Sequence, residues 1–219
     1  MKKNAAIFDM DGLLIDSEPL WREAGRETLA RYDHTLTDEQ YHSSTGLRTE
    51  EWVELWFNHF GIPMRHAQAA VDTIIQKAIE KIDERGEALP GIDEILALFA
   101  KNNFTLGLAT SSPISLAQVV LKKLGLRDKF DAVASAEHLP LGKPHPMVYL
   151  NCAESLGVAA TRCIAFEDSF NGMIAAKAAR MKCVVVPAKE DYTLLKWHAA
   201  DIKLKTLLDF KEDYLNAIF

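Results

Sequence analysis

Two aspartates, Asp9 and Asp11, close a short apolar run and precede Gly12 in the stretch A-A-I-F-D-M-D-G. On an extended backbone, residues i and i+2 face the same side, so the spacing aims both carboxylates at one point. Like charges held that close are costly unless a cation or a proton offsets them. The pair therefore suggests a metal site, an acid/base pair, or both. A Ca²⁺ loop also starts D-x-D but wants Gly at its sixth position and Glu at its twelfth, where this chain has Leu14 and Leu20. A merely exposed strand end is the bland alternative.

Three further clusters carry chemistry-bearing residues. Thr110-Ser111-Ser112-Pro113 follows the apolar run F-T-L-G-L-A. Pro113 suits the first position of a helix and Ser112 its cap, so free N–H groups beside two hydroxyls would make an anion cradle; plain capping is the alternative. Gly142-Lys143-Pro144-His145-Pro146 sets one lysine in a proline-stiffened loop. Lys143 is either a solvated surface residue or a fixed ammonium that offsets phosphate and carboxylate charge, and His145 reads as a bystander. Glu167-Asp168-Ser169-Phe170-Asn171-Gly172 follows C-I-A-F. Its paired acids either cap a helix or hold a divalent cation, one directly and the other from behind. Each of these three is weak alone. Together with Asp9 and Asp11, all four fall at C-terminal ends of predicted parallel strands, where a shared site must form.

The elements that would position them are legible as apolar runs bounded by turn or polar residues: Ala5–Phe8, Phe104–Ala109, Ala132–Ala134, Cys163–Phe166 and Cys183–Val186. Between them lie helical spacings, with Ile92, Ile95, Leu96 and Phe99 on one face and Val148, Tyr149, Cys152 and Leu156 on another. Strand–helix alternation predicts an α/β fold with a Rossmann-like, doubly wound parallel sheet. Residues 18–87 break the alternation. They show helical patterns, including Trp52, Leu55, Trp56 and His59 and a second helix over His66–Ile82, with no convincing strand. The expectation is a small all-α cap over 18–87 inserted after the first strand, with residues 1–17 and 88–219 forming the core. Hinges are expected near Ser17 and Leu89, and a short edge strand and a helix over Asp201–Phe219.

The bulk numbers bound the rest. The chain has 219 residues, 48% of them hydrophobic, enough for one large domain with a smaller insert. A net charge of −6 gives no electrostatic reason to bind nucleic acid. No apolar run reaches the roughly 18 residues that span a membrane, and Asp9 interrupts the N-terminal apolar run too early for a signal peptide. A soluble, cytoplasmic protein is expected. Cys152, Cys163 and Cys183 contain no C-x-x-C and read as buried, reduced thiols. The seven histidines lack zinc spacing.

On these motifs the chain resembles the haloacid dehalogenase superfamily over essentially its whole length. D-M-D-G-L-L-I-D-S-E-P resembles the first motif, Thr110 stands at the second, Lys143 in G-K-P-H-P at the third, and E-D-S-F-N-G resembles the fourth. Within the superfamily it is most similar to the β-phosphoglucomutase-like branch. D-G-L-L-I-D-S-E-P-L-W, T-G-L-R and P-G-I look especially like bacterial 2-deoxyglucose-6-phosphate (hexitol phosphate) phosphatases. The resemblance implies a Mg²⁺-dependent phosphatase of small sugar or sugar-alcohol phosphates. Asp9 would be the nucleophile that forms an aspartyl-phosphate, and Asp11 the general acid and base. Mg²⁺ would be held by the Asp9 and Asp168 carboxylates and the Asp11 backbone carbonyl, with Glu167 behind them. Thr110, the Ser111 N–H and Lys143 would hold the transferring phosphoryl oxygens.

Trp21 and the Gly46-Leu47-Arg48 turn are the candidates for the cap's inner face, where substrate would be chosen. Trp21 could instead be cap core, and Arg48 a surface residue. The alternatives are a sugar phosphomutase and a non-catalytic sugar-phosphate sensor. Mutases of the branch typically carry a His near the position of Trp21, and a sensor would be expected to have lost Asp9 or Asp11. A dehalogenase would not need Asp11 and Gly12. A phosphonate hydrolase would want a cap lysine near the first hinge, and residues 17–30 contain none. A monomer is expected, since the cap already covers the site.

Overall fold

Ala5, Ala6, Ile7 and Phe8 form β1 (Ala5–Phe8), and all four are buried. Ala6 and Phe8 belong to one apolar cluster, Ala5 and Ile7 to another. A strand buried on both faces belongs in the middle of a parallel sheet with helices on either side. The computed structural model describes residues 4–218 and has that arrangement. Met1–Lys3 and Phe219, where the N-terminal and C-terminal expectations ended, lie outside the described residues.

After β1 come α1 (Glu18–Leu29), α2 (Asp38–Ser43), α3 (Thr49–Phe60) and α4 (Ala67–Arg85). The rest alternates: α5 (Ile92–Lys101), β2 (Thr105–Thr110), α6 (Ile114–Lys123), β3 (Ala132–Ser135), α7 (Met147–Ser155), β4 (Cys163–Glu167), α8 (Phe170–Ala178), β5 (Lys182–Val185), β6 (Ile202–Lys203) and α9 (Glu212–Ile218). All strand pairs are parallel, in the order β3-β2-β1-β4-β5-β6. The doubly wound α/β class is therefore as expected, and each predicted run forms a strand within one residue of its expected ends.

Side chains of α5 and α6 (Ile95, Leu96, Phe99, Leu116, Val120) pack with Phe8 and Phe166 on one face of the sheet. Those of α7 and α8 (Val148, Tyr149, Cys152, Met173, Ala176) pack on the other. Phe8 stacks on Phe166 of the neighbouring strand with centroids 4.8 Å apart, and Phe99 meets Phe166 edge-on at 5.5 Å. The chain runs outward from β1 through β2 to β3, then crosses back to place β4 on the other side of β1. The crevice at the C-terminal ends of β1 and β4 is therefore the topological switch point, where such sheets bind ligands. All three cysteines are buried and unpaired.

The helical segment after β1 leaves and returns through adjacent strands of backbone. Asp16 N–H donates to the Glu87 carbonyl at 2.8 Å and Leu89 N–H to the Leu14 carbonyl at 3.1 Å. Its helices differ from expectation in three ways. The buried stripe of α3 is Val53, Trp56 and Phe57, while Leu55 and His59 of the expected face are exposed. The segment is apolar on more than one side, and packing on α4 (Val71, Ile74, Ala78, Ile82) selects the stripe. Short α2 was not foreseen, although its Thr37/Gln40 capping box is written in the sequence. The later helix spans Ala67–Arg85, starting one residue after His66 and ending three beyond Ile82.

Candidate active site

β1 ends at Phe8, so the two-residue period of a strand does not itself carry Asp11. A tight turn does. The Met10 carbonyl accepts from Leu13, Leu14 and Ile15 N–H, and Gly12 N–H donates to the Ile15 carbonyl at 2.9 Å. Gly12 has φ +69°, and a Cβ there would lie 2.2 Å from Asp168 Oδ2, so the turn and the acid at the end of β4 need glycine between them. Asp9 and Asp11 both line one cavity of roughly 700 Å³, mouth included, with Thr110, Ser111, Lys143 and Asp168. Glu167 lies beneath that floor, fully buried.

Lys143 is the hub. It is 1% exposed, and its Nζ donates to Asp9 Oδ1 at 2.7 Å, to Glu167 Oε1 at 2.6 Å and to the Ala109 carbonyl at 3.1 Å. The solvated-surface reading of Lys143 is thus wrong. Burial works against its charge, but the two carboxylates beside it hold the ammonium's pKa above its ordinary value. Glu167 is further tied by the Tyr149 hydroxyl at 2.6 Å and by the Ser169 N–H and hydroxyl. A Cβ on Gly172 would fall about 2 Å from that carboxylate, so a glycine is required over it. Tyr149, Ser169 and Gly172 were not singled out from the sequence as site residues. The E-D-S-F-N-G run contains two of them, and Tyr149 was legible only as part of an apolar helix face.

Asp11 is held differently. Oδ1 accepts from the Ser17 hydroxyl at 2.7 Å and from Trp21 Nε1 at 2.9 Å, and Oδ2 accepts from the Ser112 hydroxyl at 2.6 Å. Trp21 is therefore a cavity residue bonded to Asp11, not merely cap core. Ser112 does not cap α6, which starts at Ile114 with Pro113 one residue before its first turn; the hydroxyl serves Asp11 instead. Ser112 N–H donates to Thr110 Oγ1 at 3.0 Å, which leaves the Thr110 hydroxyl proton available. The Ser111 hydroxyl donates to the Gly46 carbonyl at 3.0 Å, leaving its N–H for a ligand.

Gly46 and Leu47 line the cavity, as expected of the cap's inner face, but Arg48 does not. Its Nη1 donates to the carbonyls of Ala136 (3.2 Å) and Leu139 (2.5 Å), and its Nη2 to Glu51 at 2.8 Å and to the Pro140 carbonyl at 3.5 Å. Glu51 in turn accepts from Gly142 N–H at 2.9 Å, next to Lys143. Neither a surface residue nor a cavity residue, Arg48 clasps the loop that carries the lysine. Glu18, at the start of α1, also lines the cavity and was not foreseen.

The acids are crowded. Burial first, then Glu167, pushes Asp9 up to about 7 although Lys143 opposes it. Burial and the charges of Asp9 and Glu167 raise Asp168 well above the usual carboxylate range. Carboxylate oxygens of Asp9, Glu167 and Asp168 lie within 4.8 Å of one another. Glu167 already accepts from Lys143, Tyr149 and Ser169, whereas the Asp168 carboxylate has no hydrogen-bond donor on it among the described residues. Hard oxygen donors in excess of cation fit a divalent ion such as Mg²⁺, with Asp9 and Asp168 as the open ligands.

The profile of the haloacid dehalogenase-like hydrolases matches residues 6–186. Hexitol phosphatase B of Escherichia coli strain K12 is 46% identical over 206 residues, covering 94% of this chain and 93% of that one. Among solved structures, a β-phosphoglucomutase from Clostridium difficile superposes with a TM-score of 0.87 at 26% identity, covering 99% of this chain and 96% of the other. CbbY from Rhodobacter sphaeroides, in complex with xylulose 1,5-bisphosphate, superposes with a TM-score of 0.81 at 26% identity, over 94% and 96% of the two chains.

Proposed function

The chain belongs to the haloacid dehalogenase-like hydrolases, and from that premise we propose that it is a Mg²⁺-dependent phosphatase of small sugar and sugar-alcohol phosphates. The observation that carries the proposal is the buried Asp9 carboxylate fixed by Lys143 on the floor of a capped cavity, with Asp11 held separately beside it. The 46% identity to a hexitol phosphatase supports the substrate class.

In this reading Asp9 attacks phosphorus. A carboxylate O–P bond forms, the ester P–O bond breaks, and the departing alkoxide takes a proton from Asp11. Water then attacks the aspartyl-phosphate, gives its proton to Asp11, and frees Asp9 and inorganic phosphate. Thr110, the Ser111 N–H and Lys143 hold the phosphoryl oxygens, where charge spreads in the transition state. Mg²⁺, held by Asp9, Asp168 and the Asp11 carbonyl, would supply the positive charge that lets a dianionic phosphate approach so many acids. Glu167 acts by fixing Lys143. Residues 18–87 act as a cap that excludes water from the first half-reaction and admits it for the second.

Phosphate release from a panel of sugar and hexitol phosphates with Mg²⁺ tests the proposal. Asp9→Asn should lower kcat by about 10⁴-fold or more, and chelation of the metal should abolish turnover. Wild-type-like rates in either case would remove the assignment. A mutase of the same core would instead interconvert sugar phosphates without releasing phosphate.

A further inference from the structure

Lys143 stands in the loop between β3 and α7, and that loop has little structure of its own. Among the described residues its internal backbone bonds run only from Leu139 N–H to the Ala136 carbonyl and from His145 N–H to the Gly142 carbonyl. Backbone polar groups away from water need partners, and here the helical segment supplies them. The guanidinium of Arg48, the residue before α3, donates to the carbonyls of Ala136, Leu139 and Pro140, 88 to 92 residues away in the chain.

Glu51, in the first turn of α3, completes the clasp. It accepts from Arg48 Nη2 and from Gly142 N–H. Burial opposes its charge, but those bonds hold the carboxyl below its ordinary value, so an anion sits between the guanidinium and the backbone of the loop. The fit is close from the loop's side as well. A Cβ on Gly142 would lie 2.5 Å from Glu51 Oε2 and 2.8 Å from Arg48 Nε, so the residue before the lysine has to be glycine. Neither Arg48 nor Glu51 lines the cavity.

We propose that Arg48 and Glu51 are positioning residues for Lys143: through the loop, the helical segment sets where the ammonium stands, without either residue touching substrate. The inference rests on the phosphatase reading, which gives Lys143 its task, and adds two residues to it. Asp9, Glu167 and the Ala109 carbonyl hold the head of the lysine. The clasp holds the backbone from which that head extends. Four acceptors converge on Arg48, which suits a planar fork of donors and not a single ammonium. Displacing a group at a reacting centre by about 1 Å can lower the rate about 100-fold.

Two measurements on the full-length protein test this. In the first, without substrate, lysines are acetylated with acetic anhydride and located by peptide mass spectrometry. Lys143 is 1% exposed and should react slowly in the wild type. In Arg48→Ala it should react roughly 10- to 100-fold faster, the factor that a lost bond to a charged group represents. Lys81→Met loosens α4 from α1 and leaves the clasp intact, so Lys143 should stay slow in that variant. Unchanged reactivity in Arg48→Ala, or the same acceleration in Lys81→Met, would overturn the proposal. In the second, with Mg²⁺ in excess, Arg48→Ala should lower kcat by the same factor for 4-nitrophenyl phosphate and for glucitol 6-phosphate. A loss confined to glucitol 6-phosphate would mean that Arg48 reaches the substrate and would equally overturn it. Arg48→Lys keeps the charge without the fork; it should show both effects in smaller degree, and it carries the test if Arg48→Ala does not fold. Failure of the wild type to hydrolyse either ester would sink the phosphatase reading, whereas the acetylation of Lys143 is read independently of turnover.

Discussion

Asp9 and Asp11 are two residues apart and have unlike surroundings. Asp9 is itself buried and is fixed by one ammonium in an acid cluster with Glu167 and Asp168. Asp11 takes its hydrogen bonds from three neutral donors, those of Ser17, Trp21 and Ser112. An indole N–H can only donate, so Trp21 fixes the orientation of the Asp11 carboxyl group that carries the proton transfer. Trp21→Phe keeps an aromatic wall and removes that donor. A hydrogen bond to a charged group contributes about 1.5–3 kcal/mol, so kcat should fall by roughly 10- to 100-fold with little change in KM. Steady-state kinetics would show it, and a change confined to KM would mean that Trp21 serves only as a wall. Tyr149→Phe leaves Glu167 with one donor fewer in a fully buried place. It should lower unfolding free energy by about 1–3 kcal/mol in a denaturant titration.

At the scale of elements, the sequence made legible whatever depends on local pattern. The five apolar runs and the foreseen edge strand all formed; Asp9 and Asp168 directly follow β1 and β4, and Thr110 ends β2. What it hid depends on partners distant in the chain. Ser112 reads as a cap until Asp11 is placed 2.6 Å from it, and Arg48 reads as a substrate ligand until carbonyls about 90 residues away claim it. The α3 stripe was misassigned because α4, not α3 itself, decides which apolar side is buried.

Helices α1 and α4 are joined on their outer side by Lys81, which bonds Glu23 at 2.7 Å and Glu27 at 2.8 Å, and by Lys77 and Arg85. The bonds from Lys77 and Lys81 hold the Glu27 carboxyl down to about 2, and those from Lys81 and Arg85 lower that of Glu23. A depressed carboxyl adds stability that is fully present above its ordinary pKa, 4.5 here, and is lost as the pH falls through the folded value. Lys81→Met should therefore lower Tm at neutral pH, with the deficit shrinking as the pH falls toward 2 and vanishing below it. These side chains are partly exposed and screened by water, so the effect should stay within about 1 kcal/mol. A deficit that stays undiminished as the pH falls below 2 would assign the role of Lys81 to packing.

For the molecule as a whole, three seats of the helical segment on the core are loops that carry a site residue, and a fourth sets α4 on α6 through Lys123 and the Asp83 carbonyl. The Gly46 carbonyl accepts from the Ser111 hydroxyl beside Thr110, the Thr45 carbonyl from Asn171 beyond Asp168, and Glu51 from Gly142 N–H beside Lys143. The contacts that seat the segment are thus made by the loops that carry the site. Gly46 sits at φ +84°, and a Cβ there would lie 2.7 Å from Ser169 Oγ. Gly46→Ala should lower the thermal midpoint, because Ala is strained at this φ, and lower kcat/KM by about 10-fold or more through imperfect seating. The central claim is that a phosphoryl group passes through Asp9. Turnover of a sugar phosphate with Mg²⁺, quenched with borohydride, reduces an acyl phosphate to the alcohol, and peptide mass spectrometry then finds where. Homoserine at position 9 is the result expected; an unmodified Asp9 in enzyme quenched at full turnover, with reduction at another carboxylate, would contradict it.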